Sequence, residues 1–322
     1  TLIQGFKITN GGNVSNGGGI LIKSSNIGQI VSVKVNASSI TGNTATTYGG
    51  GIFIEGEGSG AKGVFYNVSI SGNTSGEYGG GVYVYEGNIT LNNSTISNNQ
   101  ATTNGGGIYA WRSEGIINNV IVKNNNAVLG GGIYFQDGSP NIDNSGILNN
   151  SAYVGGGIYI AQGIINSSNL KINGNLSTSD GAGVYQNGGA LRLFYSELIG
   201  NISQNNGGGI FIHGTTNHIL SNVKILSNIA ENNGGGIYKS DCGGDPFTDV
   251  TIINNEANKG GGIYLKDGCM SISGHIEGNV AVIGGGVYFE NTWSVSFTNV
   301  NIISNPESGI YVDSTSDPYL IS

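Results

Sequence analysis

The sequence predicts an all-β chain, a single right-handed parallel β-helix (β-solenoid) of about twelve coils with three short strands per coil. Three observations predict this fold. A triplet of small residues recurs every 24 to 27 residues along most of the chain, a β-branched and usually an aromatic residue follow it, and an Asn recurs at a fixed phase. The triplets begin at Gly17, Gly49, Gly79, Gly105, Gly130, Gly155, Gly181, Gly207, Gly234, Gly260, Gly284 and, in degenerate form, Ser308.

The first predicted strand follows each triplet. The residue after the triplet is β-branched in every repeat, and the residue two positions later is usually apolar. This alternation is typical of a strand with one buried face. The β-branched residues are Ile20, Ile52, Val82, Ile108, Ile133, Ile158, Val184, Ile210, Ile237, Ile263, Val287 and Ile310.

Two further strands are predicted before the next triplet. The second is weak and is visible in pairs such as Ile89 and Leu91, whereas the third ends at the recurring Asn. An aliphatic residue lies three positions before each of these Asn, and another Asn usually lies six positions before it. The recurring residues are Asn43, Asn73, Asn99, Asn125, Asn150, Asn175, Asn201, Asn228, Asn255, Asn279 and Asn305.

Stacked coils would place equivalent Asn residues above one another. Equivalent strands pair about 4.8 Å apart, and parallel connections of this kind are right-handed. An inward-facing amide both donates and accepts, so it reaches the same residue one coil above and one coil below. Both Asn columns are therefore predicted to be inward and structural.

Two other repeat classes fit less well. A leucine-rich repeat also carries a phased Asn, but Ile outnumbers Leu here and the Gly triplets disfavour a helix on each coil. The calcium-binding nonapeptide Gly-Gly-x-Gly-x-Asp is absent. Because stacked repeats share one continuous core, residues 1–322 are interpreted as a single domain.

Composition excludes several classes of partner. Charged residues make up 10% of the chain, the net charge is -8, and Arg112 and Arg192 are the only arginines. We therefore expect no nucleic-acid surface. No apolar run approaches the roughly 18 residues of a membrane-spanning helix, so no membrane span is expected. No cofactor and no resident metal are expected.

The repeat resembles those of the right-handed parallel β-helix proteins of the pectin-lyase-like superfamily. More narrowly, it is similar to the Gly-Gly-[Gly/Ala]-[Ile/Val] repeats of bacterial polymorphic outer-membrane proteins and related surface adhesins, from about Thr1 to Val312. The resemblance implies a fold more strongly than a function, because the superfamily contains polysaccharide lyases, hydrolases, adhesins and structural rods.

An outward aromatic residue lies between the two inward positions of the first strand in all but the first repeat. Stacked coils would turn these residues into an exposed aromatic ladder. Either neighbouring rings stack and shield the sheet, or the strip binds another copy of the rod or surface glycans. The ladder consists of Phe53, Tyr83, Tyr109, Tyr134, Tyr159, Tyr185, Phe211, Tyr238, Tyr264, Tyr288 and Tyr311.

A cluster of charged residues is the best candidate for catalysis, which needs converging polar groups. The resemblance implies that a polysaccharide lyase or hydrolase would use such a cluster, and a weak cation site is the other open use. Lys239 occupies an otherwise apolar phase, so we expect it to lie half-buried against an Asp. The cluster comprises His213, Lys239, Asp241, Asp245, Asp249, Lys266 and Asp267.

Cys242 and Cys269 lie 27 residues apart, close to one coil, at nearly equivalent positions after the first strand. Equivalent positions on adjacent coils are about 5 Å apart, inside disulfide range. A disulfide is predicted, with two free small hydrophobes as the alternative. A disulfide would indicate an oxidising, extracytoplasmic compartment.

Neither end shows a recognisable cap, which favours a segment of a longer chain or copies that stack end to end. The resulting hypothesis is a non-enzymatic rod at the cell surface or outside the cell, either a filament subunit or an adhesin stalk or passenger. Its expected partners are other copies of itself, end to end or laterally, and surface glycans. The alternatives are a pectin-lyase-like enzyme and a glycan-binding module.

Overall fold

The computed structural model is a right-handed parallel β-solenoid of about 11 turns, which confirms the predicted fold class. It describes residues 1–24, 29–56, 58, 60–214 and 217–321. The described strands pair in parallel with their equivalents one turn away, as Ile108–Trp111 does with Ile133–Asp137. Twelve triplets enclose eleven complete turns, which explains the difference from the predicted number of coils.

Two columns of strands follow the triplet. The strands directly after the triplet are called the glycine strands, and those that come next in the chain are called the second strands. The glycine strands are Ile20–Ser24, Ile52–Gly56, Val82–Tyr85, Ile108–Trp111, Ile133–Asp137, Ile158–Ile160, Val184–Asn187, Ile210–His213, Val287–Glu290 and Ile310–Val312. The second strands are Leu2–Gln4, Val31–Asn36, Ala61–Tyr66, Asn141–Asp143, Ile164–Ser168, Ala190–Phe194, Ile219–Ser221 and Tyr319–Ile321.

The third strands lead to the recurring Asn. They are Lys7–Thr9, Ser39–Thr41, Ser69–Ser71, Gly146–Leu148, Lys171–Asn173, Glu197–Ile199 and Lys224–Leu226. In some turns consecutive strands run into one another without a break. These longer strands are Asn88–Ser97, Ile116–Lys123, Ile237–Ile253, Ile263–Glu277 and Ser294–Ile303.

A fourth short strand, which the sequence analysis did not predict, lies between the recurring Asn and the next triplet. These strands form a separate 11-stranded sheet. They are Val14–Asn16, Thr44–Tyr48, Thr74–Ser75, Gln100–Ala101, Asn126–Leu129, Ser151–Val154, Leu176–Ser177, Ile202–Ser203, Ile229–Ala230, Glu256–Lys259 and Val280–Ile283.

The fourth strand buries only one small residue per turn, which is why hydrophobic periodicity does not reveal it. Ala or Ser lies two residues after each recurring Asn from Asn43 to Asn279. These small residues are buried, for example Ala101 at 2% and Ser177 at 0% exposure. The missed signal is therefore a column of small residues rather than a column of large apolar ones.

The glycine triplets form the tightest corner of the coil. The first glycine adopts a left-handed conformation, with φ of 67° at Gly105 and 63° at Gly130, which L side chains rarely adopt. At the second position, a Cβ on Gly106 would lie 2.4 Å from the Asn126 carbonyl oxygen. The backbones of successive turns approach too closely there for a side chain to fit without displacement.

The core is a continuous column of aliphatic side chains. Ile108, Ile133 and Ile158 are fully buried and follow one another in register. Each turn thus stacks apolar residues on apolar residues, and each fully buried Ile contributes roughly 1.5–3 kcal/mol relative to an exposed one.

The recurring Asn residues form a buried hydrogen-bonded ladder from Asn43 to Asn305. In each rung the side-chain Nδ2 donates to the Oδ1 of the next Asn at 2.8–3.1 Å. The backbone N–H of Asn150 donates to the same Oδ1 of Asn175, and Asn150 Nδ2 also donates to the Val122 carbonyl. The inward Asn ladder predicted from the sequence is therefore present.

The second Asn column, six residues earlier, lies outside the core, which corrects the prediction that both columns point inward. Asn67, Asn119 and Asn169 are exposed and have φ of 53–55°. Asn tolerates this left-handed conformation better than most residues. Side-chain bonds between turns are retained, as from Asn119 Nδ2 to Asn93 Oδ1 at 2.8 Å. The column is structural because these Asn residues adopt the left-handed backbone conformation at which the chain bends between the second and third strands.

We predict that Asn150→Ala will lower stability strongly. The change removes the acceptor of the Asn125 backbone N–H and of one of the two Asn125 Nδ2 hydrogen bonds, and it removes the side-chain donor to the Val122 carbonyl. A buried unpaired group costs about 1–3 kcal/mol, so the free energy of unfolding should fall by roughly 3 kcal/mol or more. Urea denaturation monitored by circular dichroism measures the change. The control is Asn141→Ala at an exposed strand position, and an equal loss in both variants would contradict the role of the ladder.

Candidate functional site

The aromatic ladder is one continuous stack of rings. Neighbouring centroids lie 4.6–5.2 Å apart from Phe53 to Tyr311, with interplanar angles of 2–25°. Parallel pairing in register sets this spacing, because each ring is carried by the equivalent residue of the next turn. Each stacked pair is worth about 0.5–1.5 kcal/mol beyond area burial. The rings therefore help to hold successive turns together.

The prediction that the ladder is exposed is wrong for most of its length. Phe53, Tyr83, Tyr109, Tyr134, Tyr159, Tyr264 and Tyr288 are 3–9% exposed, Tyr185, Phe211 and Tyr238 are half-buried, and Tyr311 is 39% exposed. The physical reason is that the rings cover one another's faces. Side chains of the fourth-strand column, including Tyr48, Tyr78 and Leu129, pack against the rings from the side.

Stacking limits what the ladder offers to a ligand. Its rings turn edges and hydroxyl groups outward, whereas sugars and cations bind aromatic faces. Burial raises the pKa of Tyr185 to about 12, so its hydroxyl is neutral at physiological pH. Binding by the ladder residues, which the sequence analysis proposed, remains a prediction.

Lys239 and Asp245 of the charged cluster form an ion pair inside the solenoid. Lys239 Nζ lies 3.0 Å from Asp245 Oδ2, and both side chains are 0% exposed. The ammonium also donates to the Asp241 carbonyl at 2.7 Å. Lys239 is inward because it follows Ile212 and precedes Leu265 in register. We expected Lys239 to be half-buried, whereas it is completely enclosed.

His218 completes this buried cluster and was missed by the sequence analysis. Its backbone N–H donates to Asp245 Oδ1 at 2.7 Å, and its Nδ1 accepts from the backbone N–H of Leu191 at 3.2 Å. Burial lowers the pKa of His218 to about 4, so the ring is neutral at pH 7. Its phase, one turn after inward Leu191, was the signal that could have revealed it.

The other charged residues of the cluster are distributed over the surface. His213 Nδ1 lies 3.1 Å from Asp241 Oδ2. Lys266 pairs with Glu290 at 2.9 Å, and Glu290, also missed by the sequence analysis, accepts from Tyr264 as well. Asp267 accepts from Asn291, and the Asp249 backbone donates to Ser273. The structure thus divides the predicted catalytic cluster into one enclosed pair and separate surface pairs.

The described part of the chain contains no group of three or more His, Cys, Asp or Glu residues placed to hold a metal ion. The weak cation site considered for the charged cluster therefore has no supporting ligand set among these residues.

Cys242 and Cys269 form a disulfide between adjacent turns. They pair in register, and their Cα atoms lie 4.8 Å apart. The pairing around this disulfide is irregular, with register shifts on both sides of Cys242. The bond therefore ties two turns together where the backbone ladder is least regular.

Fold and site together define a repeat protein of the parallel β-solenoid class, held by an Asn ladder and an aromatic stack. Residues 37–55, 67–85, 93–110 and 249–266 match the family model described as the Chlamydia polymorphic membrane protein repeat. Each segment runs from the third strand through the recurring Asn and the glycine triplet into the next glycine strand. The chain therefore resembles polymorphic outer-membrane proteins, which supports a location at the cell surface. No curated protein and no solved structure matches the chain.

Among the described residues, no helix is long and apolar enough to cross a bilayer.

We predict that breaking the buried ion pair will be costly. Lys239→Met leaves Asp245 charged and enclosed, and such single removals cost about 3–5 kcal/mol. The double variant Lys239→Met/Asp245→Leu removes both charges and should recover most of this loss. Urea midpoints of the two single variants and the double variant measure the coupling. Additive losses would show that the two groups do not interact in the folded protein.

We predict that His218 makes stability depend on pH in the acid range. Its pKa is about 4 when folded and 6.5 ordinarily, so the unfolded chain takes up the proton first as pH falls. Stability is fully present above pH 6.5 and falls towards pH 4, by about 3 kcal/mol for this group. Urea midpoints at several pH values should show a shallower loss for His218→Gln than for the wild type. If the urea midpoints of the wild type and of His218→Gln fall equally with pH, His218 does not cause the pH dependence.

Proposed function

We propose that the chain is a non-enzymatic extracellular rod that forms the stalk or passenger of a surface adhesin. The main support for this proposal is the unbroken Asn ladder from Asn43 to Asn305. Every rung joins adjacent turns through buried side-chain and backbone hydrogen bonds, which makes the solenoid continuous and stiff along its axis. The match to polymorphic membrane protein repeats supports a cell-surface location.

The positions of the charged residues in the structure support a non-enzymatic role. Catalysis on a polysaccharide requires acid and base groups that reach the chain being cleaved. Lys239 and Asp245 are enclosed in the core and cannot reach a polysaccharide. The surface residues nearby form separate pairs, His213 with Asp241 and Lys266 with Glu290, and do not converge on one point. The buried cluster therefore acts as part of the core.

A second candidate function is a filament subunit, with another copy of the chain as its partner. Its specific support is an apolar column on the fourth strands, formed by Leu176, Ile202 and Ile229, which pair in register and are 36–42% exposed. The same column is polar earlier in the chain, at Gln100 and Ser151. Side-by-side packing would cover this local apolar surface, and end-to-end stacking would extend the ladder.

We expect electron micrographs of the purified chain to show straight rods about 50 Å long, as 11 turns at strand spacing require.

Incubation with polygalacturonate, with and without Ca²⁺, should release no shortened chains. Turnover by the folded wild-type chain would overturn the non-enzymatic proposal. Lateral bundles that separate in Ile202→Asp, but not in the matched Gln100→Asp, would favour the filament subunit instead.

A further inference from the structure

A cleft borders the aromatic stack near its beginning. Leu21 occupies the ladder position there and pairs in register with Phe53, so no ring covers Phe53 from that side. This cleft, of about 270 Å³, lies beside it, and its lining includes Asn16, Glu55, Tyr85 and Trp111 together with the ring residues Tyr48, Phe53 and Tyr83. Here aromatic side chains border a space instead of filling it.

Tyr85 and Trp111 give this cleft ring surface that the ladder lacks. The two residues pair in register, but their rings meet at 74° with centroids 4.8 Å apart. An edge-to-face pair covers less ring face than the parallel stack does, although Arg112 lies over one face of Trp111. Both side chains are only half-buried. The apolar face of a sugar ring packs on such an aromatic surface.

Asn16 supplies an unused hydrogen-bond acceptor. Its Oδ1 is shielded from solvent and accepts no hydrogen bond from the described residues. A buried acceptor without a donor costs about 1–3 kcal/mol. Because Asn16 Oδ1 is shielded, the Asn16 side chain has to turn towards the cleft before a sugar hydroxyl group can donate to it, whereas the Glu55 carboxylate is partly exposed in the same cleft.

The charges around the cleft are already paired, which argues for a neutral ligand. Glu55 Oε2 lies 2.7 Å from Lys23 Nζ. Arg112 lies over the Trp111 ring at 5.6 Å and pairs with Glu86 at 2.9 Å. A quaternary ammonium ligand would enter an aromatic cleft without a free carboxylate and beside the Arg112 cation.

We propose that this cleft, which we call the Trp111 cleft, binds one or two terminal hexopyranose units of a neutral glycan. The sugar rings lie against Tyr85 and Trp111, and their hydroxyl groups donate to Asn16 Oδ1 and Glu55. The assignment moves glycan recognition from the buried ladder to its open first turn. It goes beyond the proposed rod function, since a stiff rod does not require a ligand.

Tryptophan fluorescence tests the proposal on the full chain. Trp293 is 51% exposed and is changed to Phe, which leaves Trp111 as the only tryptophan. Titration with lactose, maltose, cellobiose and chitobiose up to tens of millimolar should give a saturable change with at least one of them. Tyr85→Ala and Asn16→Ala, in the same background, should each raise Kd about tenfold or more, equivalent to about 1.4 kcal/mol.

Tyr195→Ala is the matched control, since Tyr195 is an exposed aromatic residue at 66% that does not line the cleft. It should leave Kd unchanged. Circular dichroism establishes that each variant folds, and Asn16→Ala carries the test if Tyr85→Ala does not. No saturable response to any of the four sugars, or a response that neither cleft variant weakens, would overturn the proposal. Saturable binding of tetramethylammonium without sugar binding would also overturn it.

Straight rods in micrographs, together with no sugar response, would contradict glycan binding by the cleft and support the rod function. Polygalacturonate turnover, together with sugar binding, would contradict the non-enzymatic function and support glycan binding by the cleft.

Discussion

The structure depends on one constraint, that equivalent residues of successive turns lie directly above one another at one strand spacing. The buried Asn ladder enforces this constraint most strictly, because each amide bonds to the equivalent amide of the next turn at 2.8–3.1 Å. A shift of one residue in any turn would take its Asn out of the ladder and leave buried polar groups unpaired. The ladder thus fixes the register of successive turns at the recurring Asn from Asn43 to Asn305.

The same register explains why the aromatic residues are structural over most of their length. Rings carried at one strand spacing reach stacking distance, so their faces are used by neighbouring turns rather than by a ligand. Recognition through ring faces then requires a break in the stack. Leu21 provides such a break, and the rings of Tyr85 and Trp111, which meet at an angle, keep the adjacent cleft open.

The turn around Cys242 shows how the solenoid tolerates an irregular segment. Register shifts interrupt the pairing between Ile237–Ile253 and Ile263–Glu277. In this region a disulfide joins the two turns, and the enclosed Lys239–Asp245 pair packs beneath His218. Covalent and electrostatic links therefore hold a stretch in which the backbone ladder is incomplete. The charged residues are better explained by this local structure than by convergence on a substrate.

The sequence by itself determined the coil, the strand that follows each triplet, the Asn43–Asn305 ladder and the pairing of Cys242 with Cys269. Each of these depends on period and phase, and a repeat of fixed length carries both directly. Tertiary structure alone decided the fourth strand, because the one buried Ala or Ser per turn produces no hydrophobic signal. It also decided the burial of the ladder rings, since outward phase in a strand does not tell whether neighbouring side chains cover a residue. The complete enclosure of Lys239 was decided there too, since an inward phase does not tell whether an acidic partner lies within reach. The Trp111 cleft likewise exists only in three dimensions, because it depends on the angle between two rings and on an amide oxygen from the preceding turn.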